Sequence, residues 1–173
     1  AQQQTIAAMQ NTVRAIICVG PLAFDTAPAV SVPLILVDGY ADAANVYGVT
    51  ADHRGAIAEL VRLLMRRQRR RILFLYHRAD YSQSEKAAGY REALETVGIP
   101  YDPALVLQVG NRPEDVNACI KNLLVKRVTF DAVIATEDGL ALGAQKALQR
   151  TGLNMPIIGY GNSLIARCAT PEL

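Results

Sequence analysis

Acids and an amide that follow apolar runs are the residues of this chain best suited to chemistry. FDAVIATEDGLALGAQKALQRTG, residues 130–152, takes a β-branched run straight into Glu137 and Asp138 and then into a helical pattern rich in Gly and Ala. VPLILVDG (32–39) runs into Asp38, and MPIIGYGN (155–162) ends on Gly161 and Asn162. An acid at such a corner has two uses. It caps the helix by accepting orphan N–H groups of the first turn, or it lines a ligand crevice, because open parallel sheets bind ligands at the carboxyl ends of their strands. Asp38, Glu137 and Asn162 all fall at predicted strand ends, and that agreement favours the crevice. Asp138 is assigned to the cap and Glu137 to the ligand.

Other reactive constellations are missing. Ser82 and Ser84 lack a Gly-x-Ser-x-Gly elbow, and neither His53 nor His77 follows in a triad order. There is no Walker loop, and Gly159-Tyr160-Gly161 has no third Gly at dinucleotide spacing. Cys18, Cys119 and Cys168 are far apart, and neither histidine has a His or Cys neighbour at ligand spacing, so no zinc site is expected. No catalytic residue, metal or cofactor is assigned, and a binding module fits better than an enzyme. The run RRQRRR (66–71) invites a nucleic-acid reading. Its position in the last turn of a helix leading into a strand explains it as well, since cations suit the negative dipole end.

Composition is that of a folded chain. The 173 residues are 51% hydrophobic and 20% charged, and a net charge of +2 is too small to argue for nucleic acid. No apolar run approaches the roughly 18 residues of a membrane span, and the start has no signal-peptide pattern. With unpaired, widely spaced cysteines, a reduced cytoplasmic protein is expected. AQQQTIAAMQNTV has no initiator Met and reads as the start of a truncated or processed chain.

The positioning elements follow from the apolar pattern. Runs at 13–20, 32–39, 71–76, 130–136 and 155–161 read as strands buried on both faces of a parallel sheet, with VLQV (106–109) a weaker sixth. Between them lie helical faces: Ile57, Leu60, Val61 and Leu64; Ala87, Tyr90, Leu94 and Val97, stopped by Gly98; Val116, Ile120, Leu123 and Leu124 behind Pro113; and Leu140, Ala144, Ala147 and Leu148, closing at Thr151 and Gly152. Strand and helix alternate, so the class is α/β with right-handed crossovers. GYADAANVYGVT (39–50) shows no strong period, and a lobe boundary is expected near residue 50.

Taken in order, these segments resemble the effector-binding core of the LacI/GalR family of bacterial transcriptional regulators. VPLILVDG is similar to the family's iPvvlvD strand. TADHRGAIAELVRLLMRRQRRRILFLY is similar to its D-x-x-x-G helix and the basic strand entry that follows. SQSEKAAGYREALETVGI resembles S-x-x-x-R-x-x-G-y-x-x-a-L, FDAVIATEDGLALGAQKAL resembles fdAvf-x-x-nD-x-x-A-l-G-a, MPIIGYGN resembles the iGyDd strand, and TPEL the P-x-L before the chain crosses back. The likeness covers residues 13–173. It implies a type I periplasmic-binding-protein-like fold of two Rossmann-type lobes with parallel sheets. Residues 1–50 would be part of the N-lobe and 51–173 a nearly complete C-lobe, with a small effector in the cleft. It further implies a homodimer that reaches DNA only through an N-terminal helix-turn-helix not in this chain, and that has no membrane partner.

The resemblance also implies effector contacts, and here the chain departs from the family. The clamping Arg falls on Lys86, which keeps the charge but loses the planar fork. The Asn of the Asn-Asp corner is Glu137, and an acid of the iGyDd strand is Gly161, followed by Asn162. Ser82 and Asp38 keep their hydroxyl and acid, Arg112 falls where an aromatic often stacks on a sugar, and Thr50 and Asp80 complete the set. Lys86 and Glu137 facing one another would hold a polyol by one donor and one acceptor, with Gly161 leaving open space; alternatively they form only a solvated ion pair, worth about 0–1 kcal/mol. The implied effector is a sugar, sugar phosphate or nucleobase-like molecule. Two other functions share these features: a solute-binding protein serving transport, and an enzyme using the strand-end carboxylates.

Overall fold

The computed structural model describes residues 2–20, 29–78 and 80–173. The chain divides into two compact units, Ala1–His53 with Ala79–Glu85, and Arg54–Arg78 with Lys86–Leu173. Each has its own parallel sheet.

In the first unit, α1 (Gln2–Met9) precedes β1 (Ile16–Val19), β2 (Leu34–Val37) and β3 (Val46–Val49), which pair in that order, with Ile16, Leu34 and Val46 in register. Side chains alternate across a strand. Ile16, Leu34 and Leu36 are therefore buried on one face together with Ile6 of α1. The opposite face carries Ile17 and Val19, which stay 67% and 78% exposed. The expectation that these runs are buried on both faces fails for β1, because the described residues of this unit cover only one side of its sheet. β3 lies inside the stretch read as lacking a period, where Gly48 breaks up the run of Val46, Tyr47 and Val49.

The second unit holds most of α2 (His53–Arg66) and α3 (Tyr81–Thr96), together with β4 (Ile72–Tyr76), β5 (Val106–Gln108), α4 (Pro113–Val125), β6 (Ala132–Ala135), α5 (Asp138–Thr151), β7 (Ile157–Ile158) and α6 (Leu164–Arg167). Its sheet is parallel, in the order β5-β4-β6-β7. Here the inner strands β4 and β6 are buried on both faces, as their unbroken apolar runs require, while the outer β5 and β7 are half-buried. Leu73, Leu75, Val133 and Ala135 face Val116, Ile120, Leu140 and Ala144 of α4 and α5. Ile72, Phe74, Ala132 and Ile134 face Ile57, Val61, Leu64, Tyr90 and Leu94 of α2 and α3. Each fully buried Leu, Ile or Phe contributes roughly 1.5–3 kcal/mol. The Tyr90 hydroxyl, buried among these residues, donates to the Ile72 carbonyl at 2.8 Å, and desolvation pushes its pKa up.

Element ends differ from expectation in ways that local chemistry explains. All six predicted strands form but are shorter than their apolar runs. α3 ends at Thr96, so Val97 lies beyond it and is 41% exposed rather than on the buried face. Of the basic run only Arg66 belongs to α2; Gln68 turns the chain at φ 62°, and Arg69 N–H donates back to the Leu64 carbonyl. The backbone N–H groups of Arg70 and Arg71 then donate to the Asp131 carboxylate at 2.8 and 3.1 Å, tying the entry of β4 to that of β6. α5 closes as expected, on Gly152 in the left-handed region at φ 72°.

Candidate functional site

From β4 the chain passes outward to β5, then returns to β6 on the other side of β4. The carboxyl ends of β4 and β6 therefore form a topological switch point, the place where open α/β sheets hold ligands. Arg78 and Glu137 follow these two strands directly, and their side chains meet at 3.9 Å, with 47% and 37% of each exposed. Such an exposed pair is worth about 0–1 kcal/mol.

Of the two acids after β6, Asp138 does not take the capping role that the sequence assigned to it. Glu137 occupies the cap position of α5, with extended backbone, but makes no side-chain cap bond. Asp138 is already helical and is 5% exposed. Its carboxylate accepts the backbone N–H of Ser163 at 2.6 Å, and it fixes the loop after β7 rather than capping α5. That loop passes close enough to exclude side chains: a Cβ at Gly159 would lie 2.5 Å from Asp138 Oδ1, and one at Gly161 3.1 Å from Oδ2. The space expected beside Gly161 is thus partly filled by Asp138, and the backbone at φ 133° disfavours any other residue there. Asn162 follows at φ 52°, exposed.

Lys86 is only 5% exposed. Its ammonium donates to the Thr136 carbonyl at 3.4 Å and lies 4.3 Å from the centroid of the Tyr160 ring. The structure thus sets Lys86 against the last residue of the β6 run and a ring after β7, while the ion-pair partner of Glu137 is Arg78. Arg112 stands in the cap position of α4, beyond β5, and its guanidinium grips Asp115 through bonds of 2.8 and 3.0 Å. The hydrogen bond from Arg112 holds the Asp115 carboxyl below its usual range, and the same contact raises Arg112. A guanidinium held flat in this way presents a planar face.

The remaining candidates lie in the first unit. Asp38 follows β2 at φ 61°, and its carboxylate is bonded by Nε2 of the buried His53. Thr50 is exposed just past β3. Asp80 caps α3: its carboxylate accepts the Gln83 N–H at 3.0 Å and the Ser82 hydroxyl at 3.1 Å, while its carbonyl accepts the Ser84 N–H at 2.9 Å. Tyr40 and Tyr81, with ring centroids 6.0 Å apart, bring this cap beside the chain leaving β2. Asp38, Asp80 and Ser82 thus have structural partners that sequence spacing did not reveal. Sequence reasoning also missed His53, Arg78, Thr136 and Tyr160; the position of Arg78, just past an apolar strand, was the one signal that marked it.

A parallel-sheet α/β chain with polar side chains gathered at the strand ends is the class of a small-molecule binding core. The family described as periplasmic binding proteins and the sugar binding domain of the LacI family matches residues 15–170, and the chain belongs to it. An HTH-type transcriptional regulator of Lachnoclostridium phytofermentans is 34% identical over 146 residues, covering 82% of this chain and 44% of that protein. A sugar-binding transcriptional regulator of the LacI family from Escherichia coli, solved with phosphate, superposes with a TM-score of 0.87 at 25% identity, covering 99% of this chain and 66% of the other. The fold is likewise that of the transcriptional regulator CelR in its cellobiose complex, with a TM-score of 0.85 at 24% identity, covering 99% of this chain and 56% of that one. The chain spans about half the length of the curated relatives it matches, 44% and 46% for two of them.

Proposed function

We propose that this chain is the effector-sensing core of a LacI-type transcriptional regulator, and that the strand-end residues described above hold a sugar or related metabolite. The observation that carries the reading is the Arg78–Glu137 pair at the switch point, with Lys86 beside Thr136 and Tyr160 on the same rim. Basic and acidic groups side by side, at the strand ends where this topology binds ligands, suit a polyol that needs both donors and acceptors.

In this reading residues 1–50 belong to an N-lobe and 51–173 to a C-lobe, and Asp38, Thr50, Asp80, Ser82, Lys86, Arg112, Glu137, Gly161 and Asn162 contribute to effector recognition. Asp80 and Ser82 act chiefly by setting the start of α3. The intact protein works in the cytoplasm as a homodimer, without catalysis, and meets DNA through a helix-turn-helix outside this chain. Effector binding shifts a two-state equilibrium only by as much as its affinity differs between the states.

The full-length protein tests this directly. A sugar at 100 times its dissociation constant raises the unfolding free energy by about 2.7 kcal/mol, and the same sugar changes the affinity for operator DNA in a mobility-shift titration. Stabilisation by cellobiose or another sugar with no DNA binding at all would favour the solute-binding alternative; release of a chemically altered sugar would favour an enzyme.

A further inference from the structure

Thr136 ends the β6 run, and alternation along the strand puts its side chain on the same face as Ala132 and Ile134, the face packed by α2 and α3. It is 1% exposed, and its hydroxyl oxygen is buried with no hydrogen-bond partner. A hydroxyl in that state has given up hydration and gained nothing, while valine would fill the same space without the penalty. Its neighbours are not those of an ordinary core position. The Thr136 carbonyl accepts the Lys86 ammonium, the Tyr160 ring lies under that cation, and Glu137 is the next residue.

We infer that Thr136 is a specificity-determining contact, whose hydroxyl donates to an oxygen acceptor on the effector beside the Lys86 ammonium. This rests on the reading that the effector binds at the strand-end rim of the second unit. The contact from Lys86 to the Thr136 carbonyl, at 3.4 Å, is at the long end of the hydrogen-bond range. On its flexible stem the ammonium can reach a ligand oxygen beside that carbonyl. Two donors on neighbouring groups suit a sugar hydroxyl oxygen or the oxyanion of a sugar acid or sugar phosphate. All three present an oxygen acceptor, neutral in the first and charged in the other two.

The test uses the full-length protein and calorimetric titration with cellobiose, glucose, glucuronate and glucose 6-phosphate. Wild-type protein is expected to bind at least one of these. Thr136→Val keeps the shape and removes the hydroxyl, and it should weaken that sugar by roughly tenfold while the ligand-free melting temperature stays level or rises. Thr136→Ser should retain affinity. A loss confined to glucuronate or glucose 6-phosphate assigns the acceptor to an oxyanion; a loss for cellobiose or glucose assigns it to a ring hydroxyl. If Thr136→Val binds as tightly as wild type, the hydroxyl is only a packing defect and the inference fails while the rim reading stands. If both variants lose affinity together with melting temperature, Thr136 is structural and the inference fails. If the wild type binds none of these sugars, the rim's assignment to sugars falls, and this inference with it.

Discussion

The Asp138 carboxylate accepts the backbone N–H of Ser163 at 2.6 Å, joining the first turn of α5 to the loop that follows β7. One buried acid thereby links the rim residues after β6 to those after β7. Glu137, Gly161 and Asn162 are neighbours of the two bonded residues in sequence, so this contact sets the geometry in which they are presented.

Asp138→Ala leaves the Ser163 N–H without its charged acceptor and is expected to lower stability by about 1.5–3 kcal/mol. Asp138→Asn keeps an acceptor oxygen and should lose less. Equilibrium urea unfolding measures both, and an alanine variant as stable as wild type would refute the assignment.

The Gly161 position gives a second test. Restoring the acid expected from the family likeness, as Gly161→Asp, forces a side chain into the positive-φ region and within 3.1 Å of the Asp138 carboxylate at its first atom. Backbone strain of about 1–3 kcal/mol and like-charge repulsion should both lower the melting temperature. Gly161→Ala should show the strain without the charge repulsion. A Gly161→Asp variant that melts above wild type would show that the glycine is not required by this loop.

The sequence made the second unit legible where burial on both faces leaves unbroken apolar runs. β4 and β6 sit where ILFLY and AVIA stand, and the faces of α2, α4 and α5 follow the helical period. It failed where pattern and packing part company. The run of β1 is as apolar as the others, yet half of it is exposed, and β3 is hidden among small residues. Residue type and strand-end position located Asp38, Glu137 and Asn162. The division of labour between Glu137 and Asp138 was not legible, because it depends on where the backbone of Ser163 returns, a contact 25 residues along the chain.

Asp115 should titrate below the ordinary aspartate value of about 3.9, chiefly through its hydrogen bond from Arg112. A depressed folded-state pKa means that the unfolded chain binds the proton more readily. The contact therefore contributes above the unfolded value and is lost as pH falls through the lower folded value. Carboxyl-carbon NMR follows the midpoint directly, and Arg112→Ala should return it toward the ordinary value. An unchanged midpoint in that variant would remove Arg112 as the cause.

The central claim is that the rim of the second unit, at the ends of β4 and β6, binds the effector. Lys86→Met and Glu137→Gln in the full-length protein, titrated calorimetrically with whichever of cellobiose, glucose, glucuronate or glucose 6-phosphate the wild type binds, test it most directly. The account predicts that each substitution weakens that sugar by about 1.5–3 kcal/mol, the range for a hydrogen bond to a charged group, while urea midpoints stay close to wild type. Wild-type affinity in both variants would contradict it.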